Sequence, residues 1–330
     1  PSNKGSGMHV QACIDYASGE WRGLWVQAGT QRENTGAPIE TPLPEDSLLL
    51  TDSGYLNLSR LRHWDQEGRL WIMPPTANLV LIDERGVRCS LQELLSRQEG
   101  EWVDMPVRLG VREQVPVRLV AQRLPQEQAQ RMREQASHQI STPPKGAQPP
   151  NRKKLPARTA SGTRDKRGHR HVRGKVVSPK RRAVLGWRIL ISNVAAERLS
   201  AQEVVVLARC RWQIELVWKW GKQIIKVDTW RSEKPARILT EIFAKWLGIL
   251  LTQWITLLDS WQDPRHSMVK AQYAVQWMAP VLALSLAGIG STEQAVQRST
   301  QTMKGGCQVQ PRCKRPATFQ LVQTPSLVSS

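Results

Sequence analysis

The sequence predicts an α/β fold, and three observations indicate it. Residues 7–15 alternate apolar and polar side chains, which is the period of a half-buried strand. Residues 47–51 are a short apolar run between turn-forming residues, typical of a strand buried on both faces. Ser200 and Glu203 form a Ser-x-x-Glu capping box ahead of an apolar segment, so a helix begins at Ser200.

The other elements follow from local patterns along the chain. A turn at Ser18-Gly19 and an apolar strand over 21–27 complete an N-terminal antiparallel hairpin. Further predicted elements are a helix over 56–64, a strand over 70–73, several short strands between 79 and 122, a polar helix over 125–138, a strand over 187–192, a helical stretch from 200 to 227, a helix over 237–261 and a weaker helix over 268–286.

Composition indicates the kind of partner. The chain has 330 residues, 47 Lys plus Arg and 28 Asp plus Glu, for a formal charge of +19, so a polyanion is the expected partner. Five scattered cysteines are typical of reduced thiols in a cytoplasm. The longest uncharged apolar stretch, 246–258, is shorter than the roughly 20 residues of a membrane span. We therefore expect a core helix there and no membrane partner.

Two segments concentrate the positive charge. Residues 151–183 contain 13 Lys or Arg and one acid, Asp165, with almost no apolar content. The tail from Lys304 adds four more basic residues and no acid. Such segments are typical either of a solvated linker or of an arm that contacts nucleic acid phosphates, and both are expected to be flexible when unbound.

One charged stripe carries the candidate chemistry. In the segment RCRWQIELVWKWGK, Arg211, Glu215 and Lys222 are four and seven residues apart, which brings them to one helix face. A carboxylate between two cations stays ionised and can bind Mg²⁺, while the cations can bind phosphates. Taken alone, Arg-x3-Glu is more often an ordinary ion pair on a solvated helix. Trp218, one turn from Glu215, is a candidate for stacking on DNA bases, whereas most neighbouring tryptophans are expected in the core.

These motifs resemble the DDE transposases of bacterial insertion sequences, in the IS-four family that includes the Tn-five transposase. That family carries Tyr-x2-Arg-x3-Glu-x6-Lys on the helix with the last catalytic carboxylate, and Arg211, Glu215 and Lys222 match its spacing. The Tyr position is Ala208, so a DNA contact there is in doubt. SLLLTDSGYLNL is similar to the family's second catalytic strand and makes Asp52 the second carboxylate.

The resemblance implies a fold, a reaction and a site. The fold would be an RNase H-like mixed sheet flanked by helices, with a strand-rich insertion and a basic arm. The reaction would be phosphodiester hydrolysis and strand transfer at transposon ends, with Mg²⁺ (or Mn²⁺) held by Asp52 and Glu215. Arg211 and Lys222 would bind DNA, with Trp218 and Lys219 as further DNA-binding candidates. The implied partners are transposon-end and target DNA and a second copy in a homodimeric synaptic complex, in a cytoplasmic, nucleoid-associated location.

The family's first catalytic Asp lies on a strand ahead of the hairpin, so its position falls before residue 1. We therefore expect a chain truncated at its N-terminus, with catalysis impaired by loss of this Asp. Asp15 is a poor substitute because alternation places it opposite the apolar face of its strand. Two alternatives stay open: a DNA-binding transposase remnant without catalysis, and a basic RNA-associated protein.

These expectations divide the chain into five parts. They are the first part of the catalytic domain (1–75), a strand-rich insertion (76–145), a basic flexible arm (146–184), the C-terminal part of the catalytic domain (185–290) and a flexible tail (291–330).

Overall fold

The computed structural model describes residues 8–28, 43–141, 179–258, 263–313 and 316–329. The chain forms two compact units. The first comprises Pro1–Asn57, Glu67–Met73 and Val194–Ser330, and the second comprises Leu58–Gln66 and Pro74–Asn193. Most of the basic run 151–183 lies outside the described residues. Strands and helices occur in both units, so the predicted α/β class is confirmed at this level.

The first unit begins with the predicted hairpin. Strands β1 (Met8–Ile14) and β2 (Trp21–Ala28) are antiparallel, with Val10 opposite Val26. In the same unit, β3 (Leu48–Leu50) pairs in parallel with β4 (Leu70–Met73), and Leu48 lies opposite Leu70. The leucines of β3 are only partly buried, so the prediction of a strand buried on both faces is wrong for this element.

Helices complete the first unit. The capping box at Ser200 begins α5 (Ala201–Cys210), as predicted. The helical stretch predicted to reach residue 227 is divided into α5, α6 (Trp212–Trp220) and a π-helix (Gly221–Ile225), which Lys226 ends in the left-handed conformation at φ 53°. The helices that follow are α7 (Pro235–Leu257), α8 (Met268–Leu286), α9 (Thr292–Gly306) and α10 (Thr318–Gln323), with a 3-10 turn at Pro325–Ser329.

A tryptophan-rich core holds the hairpin on these helices. The indole of Trp246 in α7 meets Trp21 of β2 edge-on at 5.8 Å between ring centroids, and Trp218 of α6 at 5.2 Å. Gln253 of α7 donates a hydrogen bond to the carbonyl of Gly19 in the hairpin turn, at 3.1 Å. The buried members of this core are Val217, Trp220, Val227, Ile242, Trp246, Ile249 and Met268.

The second unit contains most of the predicted short strands. Its sheet has the order β9-β8-β7-β5-β6, with antiparallel neighbours. The strands are β5 (Val80–Ile82), β6 (Arg88–Ser90), β7 (Trp102–Leu109), β8 (Val115–Arg123) and β9 (Trp187–Ser192). Its helices are α1 (Leu58–Gln66), α2 (Leu91–Ser96), α3 (Gln126–Ser141) and α4 (Pro179–Val184). Helix α2 was expected as strand, and a Ser90–Glu93 capping box begins it.

Two regions differ from the sequence-based expectations. Residues 291–330 were expected to be flexible, but α9 packs on α8 through Met303, which is 1% exposed. The apolar stretch 246–258 was expected to be a core helix, but only one face of α7 is buried. By length and composition alone α7 is apolar enough to cross a membrane, and only 22% of its most apolar window is buried inside the protein.

Candidate active site

Asp52 lies directly after β3. The backbone amide of Thr51 donates to the carbonyl of Ile72, which extends the pairing of β3 with β4 by one residue at 3.2 Å. The chain then turns into a 3-10 helix, Ser53–Tyr55, and the Asp52 carboxylate caps it by accepting from the Gly54 amide. Asp52 is exposed. This position leaves carboxylate lone pairs available to a ligand at the end of the strand.

Glu215 and Arg211 form the ion pair that their spacing predicts. Arg211 Nη1 lies 2.7 Å from Glu215 Oε1, with side-chain exposures of 27% and 35%. Glu215 is in the first turn of α6, where a negative charge also interacts favourably with the positive end of the helix dipole. The pair is therefore a fixed carboxylate next to a guanidinium that remains partly open to solvent.

Lys219 and Lys222, the two lysines among the predicted DNA-binding residues, are exposed. Lys219 is in the last turn of α6, and Lys222 is the second residue of the π-helix. Single π-helical turns are frequent at functional sites. The structure thus presents both lysines that were predicted to bind DNA to solvent, in the same helical stretch as Glu215.

The structure places Trp218 differently from the sequence-based interpretation. Its ring packs edge-on against Trp246, and it contacts the core formed by α6, α7 and the hairpin. Trp212 and Trp230 are instead 56% and 41% exposed. These two indoles, expected mainly in the core, are the ones that the structure makes available for stacking on a base.

Two side chains of α7, Glu241 and Lys245, hold the segment that follows the π-helix, and we call this pair the clamp. Lys245 Nζ donates to the carbonyls of Lys226, at 3.0 Å, and Thr229, and it forms an ion pair with Glu241 at 2.8 Å. Glu241 also accepts from the backbone amide of Arg231, at 3.0 Å. The hydrogen bond from Lys245 lowers the pKa of Glu241, and the Arg231 amide lowers it further.

None of the motifs described above predicts this clamp. Its signal is a Glu-x3-Lys pair at positions 241 and 245, a spacing that places the two charges on the same face of α7. The consequence is that Arg231, next to the exposed Trp230, is presented from a fixed segment.

Asp15 has a structural role in the hairpin turn. Its carboxylate accepts from the backbone amides of Ala17 and Ser18 and from Arg22, whose guanidinium is 2.7 Å away. The hydrogen bond from Arg22 is the largest influence that lowers the pKa of Asp15. These contacts hold Asp15 in the hairpin turn, and its exclusion from the catalytic residues stays a prediction.

Asp52 and Glu215 belong to the same compact unit, in which α5 packs against both β3 and β4. Arg211 is the described ion-pair partner of Glu215. The Asp52 carboxylate accepts a hydrogen bond from the Gly54 amide in the turn that follows it. Within the described ranges, no group of three or more His, Cys, Asp and Glu side chains is placed to hold a metal ion. The meeting of Asp52 with Glu215 around a metal therefore stays a prediction.

Comparison with known proteins gives a family match over most of the chain. The family described as "Transposase DDE domain" matches residues 2–251, a range that includes both Asp52 and Glu215. The transposase for insertion sequence element IS231F of Bacillus thuringiensis subsp. israelensis is 23% identical over 265 residues, covering 74% of this chain and 49% of the relative.

Two further relatives have the same kind of description. The IS231E transposase of Bacillus thuringiensis subsp. finitimus is 20% identical over the same coverage of 74% and 49%. The putative transposase InsL for insertion sequence element IS186A of Escherichia coli (strain K12) is 32% identical over 79 residues, 24% of this chain and 21% of that protein. The chain thus spans about half the length of the IS231 relatives that it matches.

Proposed function

Since the chain belongs to the family of DDE transposase domains, we propose that it acts on DNA, with Asp52 and Glu215 as metal-binding carboxylates of a phosphodiester hydrolysis and strand-transfer site. Arg211, Lys219 and Lys222 bind the DNA phosphates. The finer assignments, to the IS-four family and to an RNase H-like arrangement with an insertion and a basic arm, are part of this proposal. They rest on the Arg-x3-Glu-x6-Lys spacing and on the Asp that follows β3.

The observation that carries the proposal is the ion pair between Arg211 and Glu215. A partly exposed carboxylate in α6 is fixed by a guanidinium, and α6 and the π-helix after it present Lys219 and Lys222 to solvent. Arg binds phosphate oxygens in the same two-pronged geometry with which it binds carboxylates. An approaching phosphate therefore has a cation to bind beside a carboxylate that can hold a metal.

The donor chemistry of the site suits Mg²⁺ only in part. Carboxylate oxygens are the ligands that Mg²⁺ prefers; Asp52 is exposed and the Glu215 side chain is partly exposed. Two carboxylates without a third protein ligand leave most of an octahedral shell to water, and the described residues add no cluster of three. We therefore expect Asp52 and Glu215 by themselves to bind a metal ion weakly and to support slow turnover.

DNA binding requires basic side chains on the surface, whereas catalysis also requires a metal site. Duplex DNA displays a dense row of phosphates, and each contact with Lys or Arg releases condensed counterions. The charge of +19 and the exposed basic side chains of 211–222 supply such contacts without any metal. DNA in a bacterial cytoplasm would place the protein at the nucleoid, which is the location that we propose.

A nicking experiment tests the catalytic part of the proposal. Supercoiled plasmid is incubated with the full chain and Mn²⁺, and the nicked fraction is compared with that for Glu215→Ala. The matched control is Glu127→Ala, which removes an exposed carboxylate from another Arg–Glu pair four residues apart. Metal-dependent nicking that disappears with Glu215→Ala but persists with Glu127→Ala supports the proposal.

A second candidate function is that of a DNA-binding remnant without catalysis. The observation that favours it is that Lys219 and Lys222 are exposed and Arg211 is partly exposed, which DNA binding needs and which requires no metal. It predicts the same background nicking for the chain and for Glu215→Ala, with DNA binding intact in both. A third reading, an RNA-associated protein, predicts that RNA competes as well as duplex DNA in the same binding assay.

A further inference from the structure

Lys245, the basic half of the clamp, binds the main chain of residues 226–231, which we call the clamped segment. A lysine ammonium group has three protons to donate. The described contacts of Lys245 supply three acceptors, which are the carbonyls of Lys226 and Thr229 and the carboxylate of Glu241. With all three donors used by these acceptors, Lys245 serves the main chain rather than a ligand.

Glu241, the acidic half of the clamp, holds the other end of the clamped segment. One of its carboxylate oxygens, Oε1, lies 2.8 Å from Lys245 Nζ, and the other, Oε2, accepts from the backbone amide of Arg231 at 3.0 Å. The side chains of Lys245 and Glu241 are only 18% and 26% exposed. Two half-buried charges therefore fix the main chain at the residue that carries the Arg231 guanidinium.

The clamped segment begins in a conformation that needs support. Lys226 is left-handed, at φ 53° and ψ 50°, which a residue with a Cβ adopts only at a cost in free energy. Its carbonyl accepts from Lys245 Nζ, from the Thr229 amide at 3.1 Å and from the Thr229 hydroxyl at 3.0 Å. Strained residues persist where the surrounding contacts over-determine them, and they concentrate at functional sites.

The outer side of the clamped segment is exposed and carries a cation. Val227 packs into the tryptophan-rich core, whereas the four residues that follow it, 228–231, are exposed. They include Arg231 and the indole of Trp230, which is 41% exposed. A side chain on a fixed main chain loses less conformational freedom on binding than one on a free loop, so Arg231 is preorganised for a ligand.

The position of the clamped segment along the chain indicates which ligand fits Arg231. The segment directly follows the π-helix that carries Lys222. Arg231 therefore continues the series of basic residues formed by Arg211, Lys219 and Lys222. A guanidinium binds phosphate oxygens in a two-pronged geometry. The phosphate backbone of the same DNA is therefore a ligand that suits Arg231.

We propose that Arg231 is a further DNA-binding residue, which contacts a backbone phosphate, and that Glu241 and Lys245 are its positioning residues. Arg231 takes this role only if the 211–222 stretch binds DNA, so the inference rests on the proposed function. Glu241 would then support the binding of a polyanion, although a negative charge by itself repels phosphates. Replacement of Glu241 therefore has opposite effects on DNA affinity according to whether its charge or its positioning contact matters more.

Fluorescence anisotropy of duplex DNA with the full chain tests this role, at about 0.15 M salt and in a salt series. We expect Arg231→Ala to weaken binding about fivefold at that salt and to reduce the slope of log affinity against log salt by about one. Glu241→Ala is the positioning variant. The matched control is Glu233→Ala, which removes the same charge from an exposed position two residues after Arg231 and should bind DNA at least as tightly as the parent chain.

Glu241→Ala is expected to weaken DNA binding at least about twofold, although it removes a negative charge, and to have no further effect when Arg231 is already Ala. Lys245→Met keeps the aliphatic stem, is a second variant with the same expected coupling to Arg231→Ala, and circular dichroism verifies that each variant is folded.

Glu241→Ala binding as tightly as Glu233→Ala, or Arg231→Ala keeping the slope of the parent chain, overturns the assignment of Arg231 and the clamp. If Arg211→Ala still lowers the slope in that case, the proposed function stands without it. A parent chain that does not bind duplex DNA overturns both.

Discussion

Glu215 and Arg211 stabilise the fold very little by being paired. An ion pair four residues apart on a partly exposed helix contributes about 0.3–0.5 kcal/mol. This is a very small part of the free energy of folding. The pair matters because it fixes a carboxylate beside a cation. The Arg211 guanidinium can then release the carboxylate and bind a phosphate with little loss of free energy.

Replacement of Arg211 should therefore affect DNA binding and stability unequally. We expect Arg211→Ala to lower the free energy of unfolding by no more than about 0.5 kcal/mol, and to reduce the slope of log affinity against log salt by about one. The measurements are chemical unfolding and a salt series of fluorescence anisotropy with duplex DNA. Arg131→Ala, which breaks the exposed Arg131–Glu127 pair, is the control and should leave the slope nearer its original value. Equal slopes for the two variants would contradict the assignment.

For single residues, the sequence predicts the contacts that are determined by spacing along one helix. The Arg211–Glu215 contact follows from an interval of four residues, and the structure confirms it. The environment of Trp218 does not follow from its interval to Glu215, because its position is decided by Trp246, 28 residues later. A side chain at the border between a charged helix face and the hydrophobic core cannot be assigned to either until its packing partner is known.

Helix α5 is the element whose beginning the sequence specifies most fully. Ser200 accepts from the Glu203 amide, and the Glu203 carboxylate accepts in turn from the Ser200 amide at 2.7 Å. The hydrogen bond from the Ser200 backbone is the largest influence that lowers the pKa of Glu203 below its ordinary value of 4.5. Since α5 packs on β3 and β4, this cap also fixes the helix that precedes the Arg211–Glu215 pair.

The cap predicts a dependence of stability on pH. Because folding lowers the pKa of Glu203, its contribution is fully present above pH 4.5 and is lost as the pH falls through the lower folded value. Glu203→Gln keeps a hydrogen-bonding side chain, so we expect a loss below about 1 kcal/mol near neutral pH. Urea unfolding across a pH series should show the difference between chain and variant shrinking below pH 4.5. A difference that stays constant into acid would contradict the cap, and Glu197→Gln, at an exposed position nearby, is the control.

Some elements were predicted closely and others were missed, for physical reasons. Strand β9 and helix α8 have the bounds that their apolar patterns indicate. Helix α9 was expected as flexible tail because its buried side is made of small or isolated residues, Ala295, Ser299 and Met303, which give little apolar periodicity. The π-helix after Trp220 was missed because nothing in the local sequence distinguishes a five-residue turn from an ordinary one.

Charge is distributed unevenly over the whole molecule. The run 151–183 and the tail from Lys304 contain most of the excess positive charge, while the remainder of the chain is close to balance. Binding to DNA through such segments is sequence-independent and salt-sensitive. The contacts at 211–222 would instead hold the DNA backbone at one place, next to Glu215, so the two kinds of contact have different roles.

The arrangement of the whole chain was predicted in part. Asp52 and Glu215 are 163 positions apart and both fall in the first unit. The division of the chain into five parts stays a prediction, and the pairing of β9 with β8 could not be read from local patterns. Local patterns locate strands, but the order of strands in a sheet depends on contacts between distant segments. For the same reason the approach of the two carboxylates can be expected from resemblance but not from spacing.

The measurement that tests the central claim most directly is a titration of Mn²⁺ with the full chain, followed by electron paramagnetic resonance of the free ion. Asp52→Asn, Glu215→Gln and the double variant are compared, with Glu127→Gln as the control. If both carboxylates bind one ion, each single variant weakens Mn²⁺ binding and the double variant is little worse than either, because coupled ligands are not additive. Losses that add as for independent sites, or Mn²⁺ binding unchanged by either substitution, would contradict the account.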